Sequence, residues 1–145
     1  MRIPIALAAV AVATAVACSA ASQGPRGWQP VPGAGAAWSN GSGTSLQEYS
    51  YQSRQFAGGL QDLASQVTID ALMRHRGAKL QGSAPFAPCP GAAGVATFRL
   101  DARTTLQEGF AVRDGRAILL SYVRPASTPV DPAVLQAMQQ SLCAT

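Results

Sequence analysis

Residues 104–123 read TTLQEGFAVRDGRAILLSYV, and this stretch is the strongest indication of the fold. Asp114-Gly115 lies at its centre, and Asp-Gly is a preferred pair for the two-residue turn of a β-hairpin. Such a turn sets the strand register, so that Phe110 is expected to oppose Leu119. Both faces of the hairpin are then largely apolar, which is typical of strands inside a sheet that is covered on both sides.

Further elements are predicted on either side of the hairpin. Period-two alternation predicts strands over 46–55 and 95–100, while apolar residues at three- and four-residue spacing predict a helix over 60–76. Asp131 followed by Pro132 is typical of a helix start and predicts a terminal helix. The predicted fold class is α+β: an antiparallel sheet with a long helix and a C-terminal helix packed on it, after an N-terminal signal segment.

Three segments are predicted along the chain. Residues 1–21 form a signal peptide, 22–45 a tether or arm rich in Gly, Pro and Ser, and 46–145 a single α+β domain. Trp28 and Trp38 lie within the second segment, and indole rings bury large apolar areas. They favour an ordered arm docked on the domain, with anchoring in a membrane interface as the alternative.

Composition limits the class of protein. The chain has 145 residues, 48% of them hydrophobic and only 12% charged, which indicates one folded domain and excludes an intrinsically disordered chain. Eleven Lys and Arg against seven Asp and Glu give a net charge of +4, but the arginines are scattered. This pattern is not that of a nucleic-acid-binding protein, so no nucleic-acid partner is expected.

The N-terminus is typical of a secretory signal peptide. Met1 and Arg2 supply a short positive start, and 3–17 are fifteen residues without a charge, followed by small residues. A retained transmembrane helix is the alternative, but a segment made mostly of Ala and Val is weakly hydrophobic for a span. We therefore expect export to the periplasm or cell envelope.

Two kinds of cleavage fit this segment. Residues 15–18, AVAC, resemble the bacterial lipobox, whose cysteine is lipidated and becomes the new N-terminus, although the lipobox prefers Leu where this chain has Ala15. An ordinary peptidase could instead cut after Ala17 or near Ala21, and the second cut would remove Cys18. We favour a lipoprotein that Cys18 anchors to the membrane.

Cys89 and Cys143 remain as a pair in the exported chain. In an oxidising compartment such a pair predicts a structural disulfide, and no Cys-x-x-Cys spacing or neighbouring histidine marks a reactive thiol. Cys89 lies in 83–94, where three prolines predict a loop rather than a strand because proline lacks a backbone donor.

The sequence offers no catalytic or metal-binding constellation. His75 is the only histidine, so any hydrolytic mechanism would depend on it, and its place between Arg74 and Arg76 is typical of a surface helix end. Carboxylates occur singly, without the spacing of a calcium loop. We expect no enzyme activity, no metal and no cofactor.

Glu108 is the carboxylate that stands out. By the hairpin register it opposes Ser121 on an apolar face, which predicts a partly buried carboxyl group paired with an arginine such as Arg99 or Arg103. Together with Tyr122 it indicates a pocket between sheet and helix, suited to a carrier of a small ligand.

A basic group is the other candidate site. Arg74, Arg76 and Lys79 lie near the end of the long helix, where positive charge complements the helix dipole. Their functional interpretation is contact with anionic lipid headgroups or with an acidic partner.

The order of elements resembles a known superfamily. Gly27-Trp28, a loop, a Tyr-rich strand, a long helix, a strand, a hairpin turning on a glycine and a C-terminal helix are similar to the small α/β sandwich typified by the PsbP extrinsic subunit of photosystem II. Bacterial lipoproteins of unassigned role share this layout. The resemblance covers about 27–143 and implies the sandwich fold. No functional residue transfers, and the strand or hairpin that members usually place before Gly-Trp is not seen here.

These observations predict an exported, lipid-anchored envelope protein that acts as a non-enzymatic binding or accessory module. Its contact with a protein partner would be made through a sheet edge or the basic helix end. The alternatives are a small-ligand carrier and, less favoured, a hydrolase that uses His75.

Overall fold

An antiparallel sheet of seven strands forms the centre of the protein in a computed structural model, which describes residues 24–144. The predicted signal segment and Cys18 lie outside the described residues. The strands and helices are β1 (Gln29–Pro30), β2 (Ala37–Asn40), β3 (Gln47–Gln55), α1 (Leu60–Arg74), β4 (Lys79–Pro85), β5 (Ala93–Arg99), β6 (Thr104–Arg113), β7 (Arg116–Pro125) and α2 (Pro132–Leu142). Their order across the sheet is β1-β2-β3-β7-β6-β5-β4, so the fold is α+β as predicted.

The central hairpin has the predicted register. Phe110 pairs with Leu119 and Glu108 with Ser121. Asp114 has φ 52° and Gly115 φ 70°, the left-handed values that both central residues of this tight turn require. β6 and β7 lie between β3 and β5 inside the sheet, and each face of the hairpin contributes to a core.

One helix covers each face. On the α1 face, Leu63 and Val67 pack in one core cluster with Phe98, Leu106 and Phe110. On the opposite, α2 face, a second cluster joins α2 to the alternate residues of the same strands; it includes Leu120, Tyr122, Val134, Met138 and Leu142. Successive strand residues point to opposite faces, so the one hairpin supplies both cores.

The two helices begin where the sequence predicts. The N-cap of α2 is Asp131, whose Oδ1 accepts a hydrogen bond of 2.8 Å from the backbone N–H of Ala133. Helix α1 ends at Arg74, two residues earlier than predicted, and His75 is its C-cap. The apolar residues off the main stripe of α1 are exposed, Ile69 by 56%, Leu72 by 40% and Met73 by 77%.

The prediction of a loop over 83–94 is wrong in its first three residues, which belong to β4, and in its last two, which begin β5. Ser83 pairs with Ala96 and Pro85 with Gly94, because β4 extends to Pro85 at the edge of the sheet. An edge strand leaves one row of backbone groups unpaired, so a proline at its end is tolerated. The rest of the segment is a loop.

A disulfide links Cys89 in this loop to Cys143 at the end of α2, as predicted, with the two Cα atoms 5.7 Å apart. Arg113 stabilises the same end of α2. Its guanidinium donates to the backbone oxygens of Ser141 at 2.6 Å and Leu142 at 2.9 Å, two groups that a helix end leaves without an intrahelical partner.

The described part of the N-terminal arm belongs to the sheet. β2 pairs with β3, and Trp28 is only 7% exposed. The Trp28 Nε1–H donates to Asp131 Oδ2 at 3.2 Å, and its ring lies 6.1 Å from that of Tyr122. Trp38 packs on Tyr49 with the ring centroids 6.0 Å apart. The sequence does not reveal β1 and β2, because they are only two and four residues long.

Candidate functional site

A polar cleft lies beside α1, over the part of the sheet that this helix leaves uncovered. Helix α1 packs on β5 and β6, while β3 and β7 extend beyond it on the same face. The space between them has a volume of about 460 Å³. Its floor includes Ser50 and Arg54 of β3 and Ser121 of β7, and its helix wall includes Asp70 and Arg74. Ser50 and Ser121 are register partners, which places their side chains on one face.

Glu108 is the buried acidic group of this cleft. It is 4% exposed, and the Ser121 hydroxyl lies 2.8 Å from each of its carboxylate oxygens. Burial raises the pKa of Glu108, and the Ser121 hydrogen bond and the Arg74 charge oppose that rise only in part. Its partner was predicted wrongly: Arg74 Nη2 lies 3.5 Å from Glu108 Oε1, whereas Arg99 donates to the Ala102 backbone oxygen. Only helix packing brings Arg74 over β6.

Two arginines give the cleft its positive charge, and they differ in what they contact. The Arg74 side chain is 60% exposed and reaches the Glu108 carboxylate from the rim. Arg54 donates from Nη2 to the neutral side chain of Gln66 at 3.2 Å. Among residues 24–144 no carboxylate lies within ion-pair distance of Arg54, and its Nε has no hydrogen-bond partner. Because Nε is buried, an acidic group would contact Arg54 through its Nη atoms, one of which donates to Gln66.

Tyr122 does not belong to this cleft, which corrects the predicted pocket. It follows Ser121 in β7 and so points to the α2 face, away from Glu108. Its hydroxyl donates to Gln47 Oε1 and accepts from the backbone N–H of Asp131 at 3.3 Å. Burial raises the pKa of Tyr122, and its role there is structural. The predicted register already implied opposite faces for the two residues.

The predicted basic group is divided between two places. Arg74 points into the cleft, whereas Arg76 follows the C-cap of α1 and Lys79 begins β4. Both Arg76 and Lys79 are exposed. Arg54, Ser50 and Asp70 are site residues that the sequence did not single out. The even spacing of Ser50 and Arg54 along β3 predicts that they share one face of the sheet. Only the position of α1 shows that this face lines the cleft.

His75 contributes to the end of α1 through its backbone. Its N–H donates to the Ala71 oxygen at 3.0 Å, and its own oxygen accepts from Ala78 at 3.1 Å. Within residues 24–144 there is no group of three or more His, Cys, Asp or Glu side chains that could hold a metal ion. In the same range, no helix combines the length and the hydropathy needed to cross a membrane.

Comparison of the chain with protein-family models, curated proteins and solved structures finds no match. The site is therefore interpreted from its own geometry. The fold and the cleft define an α+β domain with a half-covered sheet, one buried carboxylate paired with Arg74, and a second arginine, Arg54, in the lining of the same cleft.

The buried Glu108 carboxylate predicts an unusual pH dependence. Because its pKa is higher in the folded than in the unfolded protein, the folded state binds the proton more tightly, and stability falls as pH rises from the unfolded pKa through the folded one. We expect Glu108→Gln to stabilise the protein by about 1–2 kcal/mol at pH 8, since a neutral amide is cheaper to bury. The gain should disappear below about pH 4, where the Glu108 carboxyl of the unchanged protein is protonated in both the folded and the unfolded state.

Urea unfolding from pH 4 to pH 8 measures this difference. Glu48→Gln is the matched control, because Glu48 is an exposed carboxylate on β3 and its replacement should leave the stability nearly unchanged at both pH values. A lower stability of Glu108→Gln at pH 8 would contradict the prediction and would mean that the ion pair with Arg74 outweighs burial.

Proposed function

We propose that the protein is an exported, lipid-anchored binding module of the cell envelope, without enzymatic activity, and that its ligand site is the cleft beside α1. The charge-free segment 3–17 supports export, and the lipobox-like residues before Cys18 support the anchor. Membership of the PsbP-like superfamily stays part of the proposal and rests on the order of elements.

The observation that carries the proposal is the buried carboxylate of Glu108 in an open cleft. A carboxylate held out of water with a raised pKa destabilises the fold, whereas an apolar residue of similar size would be neutral or stabilising. Ligand binding would account for this destabilising group, because the ammonium of a ligand can replace Arg74 as the partner of the Glu108 carboxylate. Such perturbed groups in clefts are candidates for functional sites.

The charges of the cleft indicate the chemistry of the ligand. Arg54 offers donors to an acidic group, while Glu108 and Asp70 offer acceptors to an ammonium group. A small zwitterion carrying both groups would match this arrangement. The volume of about 460 Å³ lies within the range of small-molecule sites.

A non-enzymatic role is supported by the residue types of the cleft. Its described lining includes serines but no histidine or cysteine, so it lacks the Ser–His or Cys–His pair that nucleophilic enzymes commonly use. The hydroxyl of Ser121 instead donates to Glu108 at 2.8 Å.

An accessory role through the sheet edge is the second candidate. All seven residues of β4 are exposed, and β4 is the last strand of the sheet on that side. An extended segment of a partner could add a strand there. A photo-crosslinker placed at Ser83 would then trap a protein in the native envelope, whereas one at Gln52 in the cleft would not.

The first arm of the test measures ligand binding. β-Alanine, glutamate, phosphoethanolamine and inorganic phosphate are titrated against the purified protein by calorimetry. We expect a zwitterion to bind more tightly than phosphate, and Arg54→Ala and Glu108→Gln each to weaken it by about tenfold or more, the value of a charged hydrogen bond. The control is Arg26→Ala, an exposed arginine outside the cleft. Binding that neither cleft variant weakens would exclude this site.

The second arm tests the anchor. Cys18→Ser should move the protein from the membrane fraction to the soluble fraction, while the neighbouring Ser19→Ala should leave it on the membrane. Mass spectrometry of the mature N-terminus identifies the modification. An unmodified N-terminus after Ala21 would disprove lipidation and leave the ligand site to the first arm.

A further inference from the structure

Positively charged side chains collect at one end of the sheet, where α1 and β5 end and β4 begins. Lys79 pairs with Arg99, Arg99 with Thr105, and Thr105 with Arg124, so one row across four strands holds three cations. Neighbouring strands are about 5 Å apart, and like charges directly opposite each other destabilise a sheet. We call this surface the basic end: Arg76, Lys79, Arg99, Arg103 and Arg124.

Within the described residues, no carboxylate forms an ion pair with these cations, since the Arg74–Glu108 contact is the one salt bridge there. Arg99 and Arg124 donate instead to the backbone oxygens of Ala102 and Thr128. The nearby Asp101 accepts from the Arg103 backbone N–H at 2.8 Å, which lowers the pKa of Asp101. The basic end therefore keeps a net positive charge that an anionic partner could neutralise.

Exposed aliphatic side chains lie at the same end of the sheet but on its α1 face, since Leu80 pairs with Phe98, whereas Lys79 belongs to the row of cations on the α2 face. Leu72 and Met73 are in the last turn of α1, and Leu80 is the second residue of β4, with 40%, 77% and 44% of their surfaces exposed. Lys and Arg next to exposed aliphatic residues are typical of surfaces that rest in the headgroup region of a membrane. An acidic protein partner would account for the charge but less well for the exposed aliphatic groups.

We propose that the basic end is a docking surface for anionic phospholipids, which places the cleft at a defined height above the membrane. The proposal needs neither the lipid at Cys18 nor a ligand in the cleft. It concerns the folded domain, whose sheet and both cores lie within 24–144.

Vesicle co-sedimentation tests it with the chain from Ser19 to Thr145, which carries no lipid. We expect binding to vesicles of phosphatidylglycerol and phosphatidylcholine, none to phosphatidylcholine alone, and weaker binding as salt increases. Lys79→Gln should lower the partition coefficient by about fivefold, and Lys79→Gln with Arg103→Gln by about 30-fold, since each cation near the surface contributes about equally.

Arg116→Gln is the matched control, because it removes one exposed cation at the opposite end of the sheet. It should leave the partition coefficient nearly unchanged. Equal losses for Lys79→Gln and Arg116→Gln would overturn the proposal, because net charge alone would then drive binding. Failure of the unchanged chain to bind anionic vesicles would also overturn it, and neither result bears on lipidation at Cys18 or on the cleft.

Discussion

Replacing both Cys89 and Cys143 by alanine is expected to lower the free energy of unfolding by about 4 kcal/mol. The disulfide joins residues 54 positions apart, and a loop of this length loses that much conformational freedom in the unfolded chain when it is closed. Small domains have a net stability of roughly 5–15 kcal/mol, so the disulfide is a large part of it. The midpoint of thermal unfolding should fall by roughly 10–20 °C.

Guanidinium unfolding with and without a reducing agent measures the effect. Reduced wild-type protein should match the double variant, and the reducing agent should not change the double variant. A difference below about 1 kcal/mol would contradict the prediction. In that case buried Phe86 and the bonds from Arg113 to α2 would be sufficient to hold the loop and the helix end.

Trp28→Ala is expected to have an effect of similar size, a loss of about 3–5 kcal/mol, as for other buried aromatic residues. The indole packs on Tyr122 in the α2-face core and donates to Asp131, the N-cap of α2. Its removal would leave a cavity beneath the helix start and take away the donor to Asp131 Oδ2. The arm from Gly24 would then be tied to the sheet mainly by β1 and β2.

Two comparisons separate the causes. Trp28→Phe keeps an aromatic ring but lacks the indole N–H, so it should cost less than Trp28→Ala by the packing contribution. Arg26→Ala, two residues earlier and exposed, should change the stability by less than about 0.5 kcal/mol. A loss below about 1 kcal/mol for Trp28→Ala would show that the arm is peripheral to the fold.

The hairpin and the disulfide were predictable because their determinants are local or few. Asp114-Gly115 sets the pairing of β6 with β7 through the geometry of a two-residue turn. Cys89 and Cys143 are the cysteines that remain after the predicted export segment, so only one pairing was open. The N-cap of α2 at Asp131 has a similarly local cause.

The edge strands were missed for a physical reason. β4 is exposed along its whole length and contains Gly82 and Pro85, so it has neither alternating hydrophobicity nor strong strand formers. It exists because β5 offers an unpaired row of backbone groups. In the same way, β2 is extended by pairing with β3, and β1 by pairing with β2.

In the candidate site, too, the locally determined features were predictable and those set by helix packing were not. The sequence marked Glu108 as a carboxylate on a buried face, because the hairpin register alone gives its neighbours. It assigned the wrong arginine as the partner of Glu108. It also placed Tyr122 in one pocket with Glu108, although the two side chains point to opposite faces of the sheet. Arg74 is 34 residues before Glu108, and nothing local specifies that α1 crosses β6 at this point.

The amino-acid sequence by itself determined the α+β class, the central hairpin with its two apolar faces, the start of α2 and the disulfide pair. These features follow from turn geometry, helix capping and residue counts, which act within a few positions of the chain. Only the tertiary structure decided that α1 covers half of its face, which leaves open a cleft lined by Glu108, Arg54 and Arg74. It also aligned Lys79, Arg99 and Arg124 in one row, because strand pairing joins residues that are far apart in sequence.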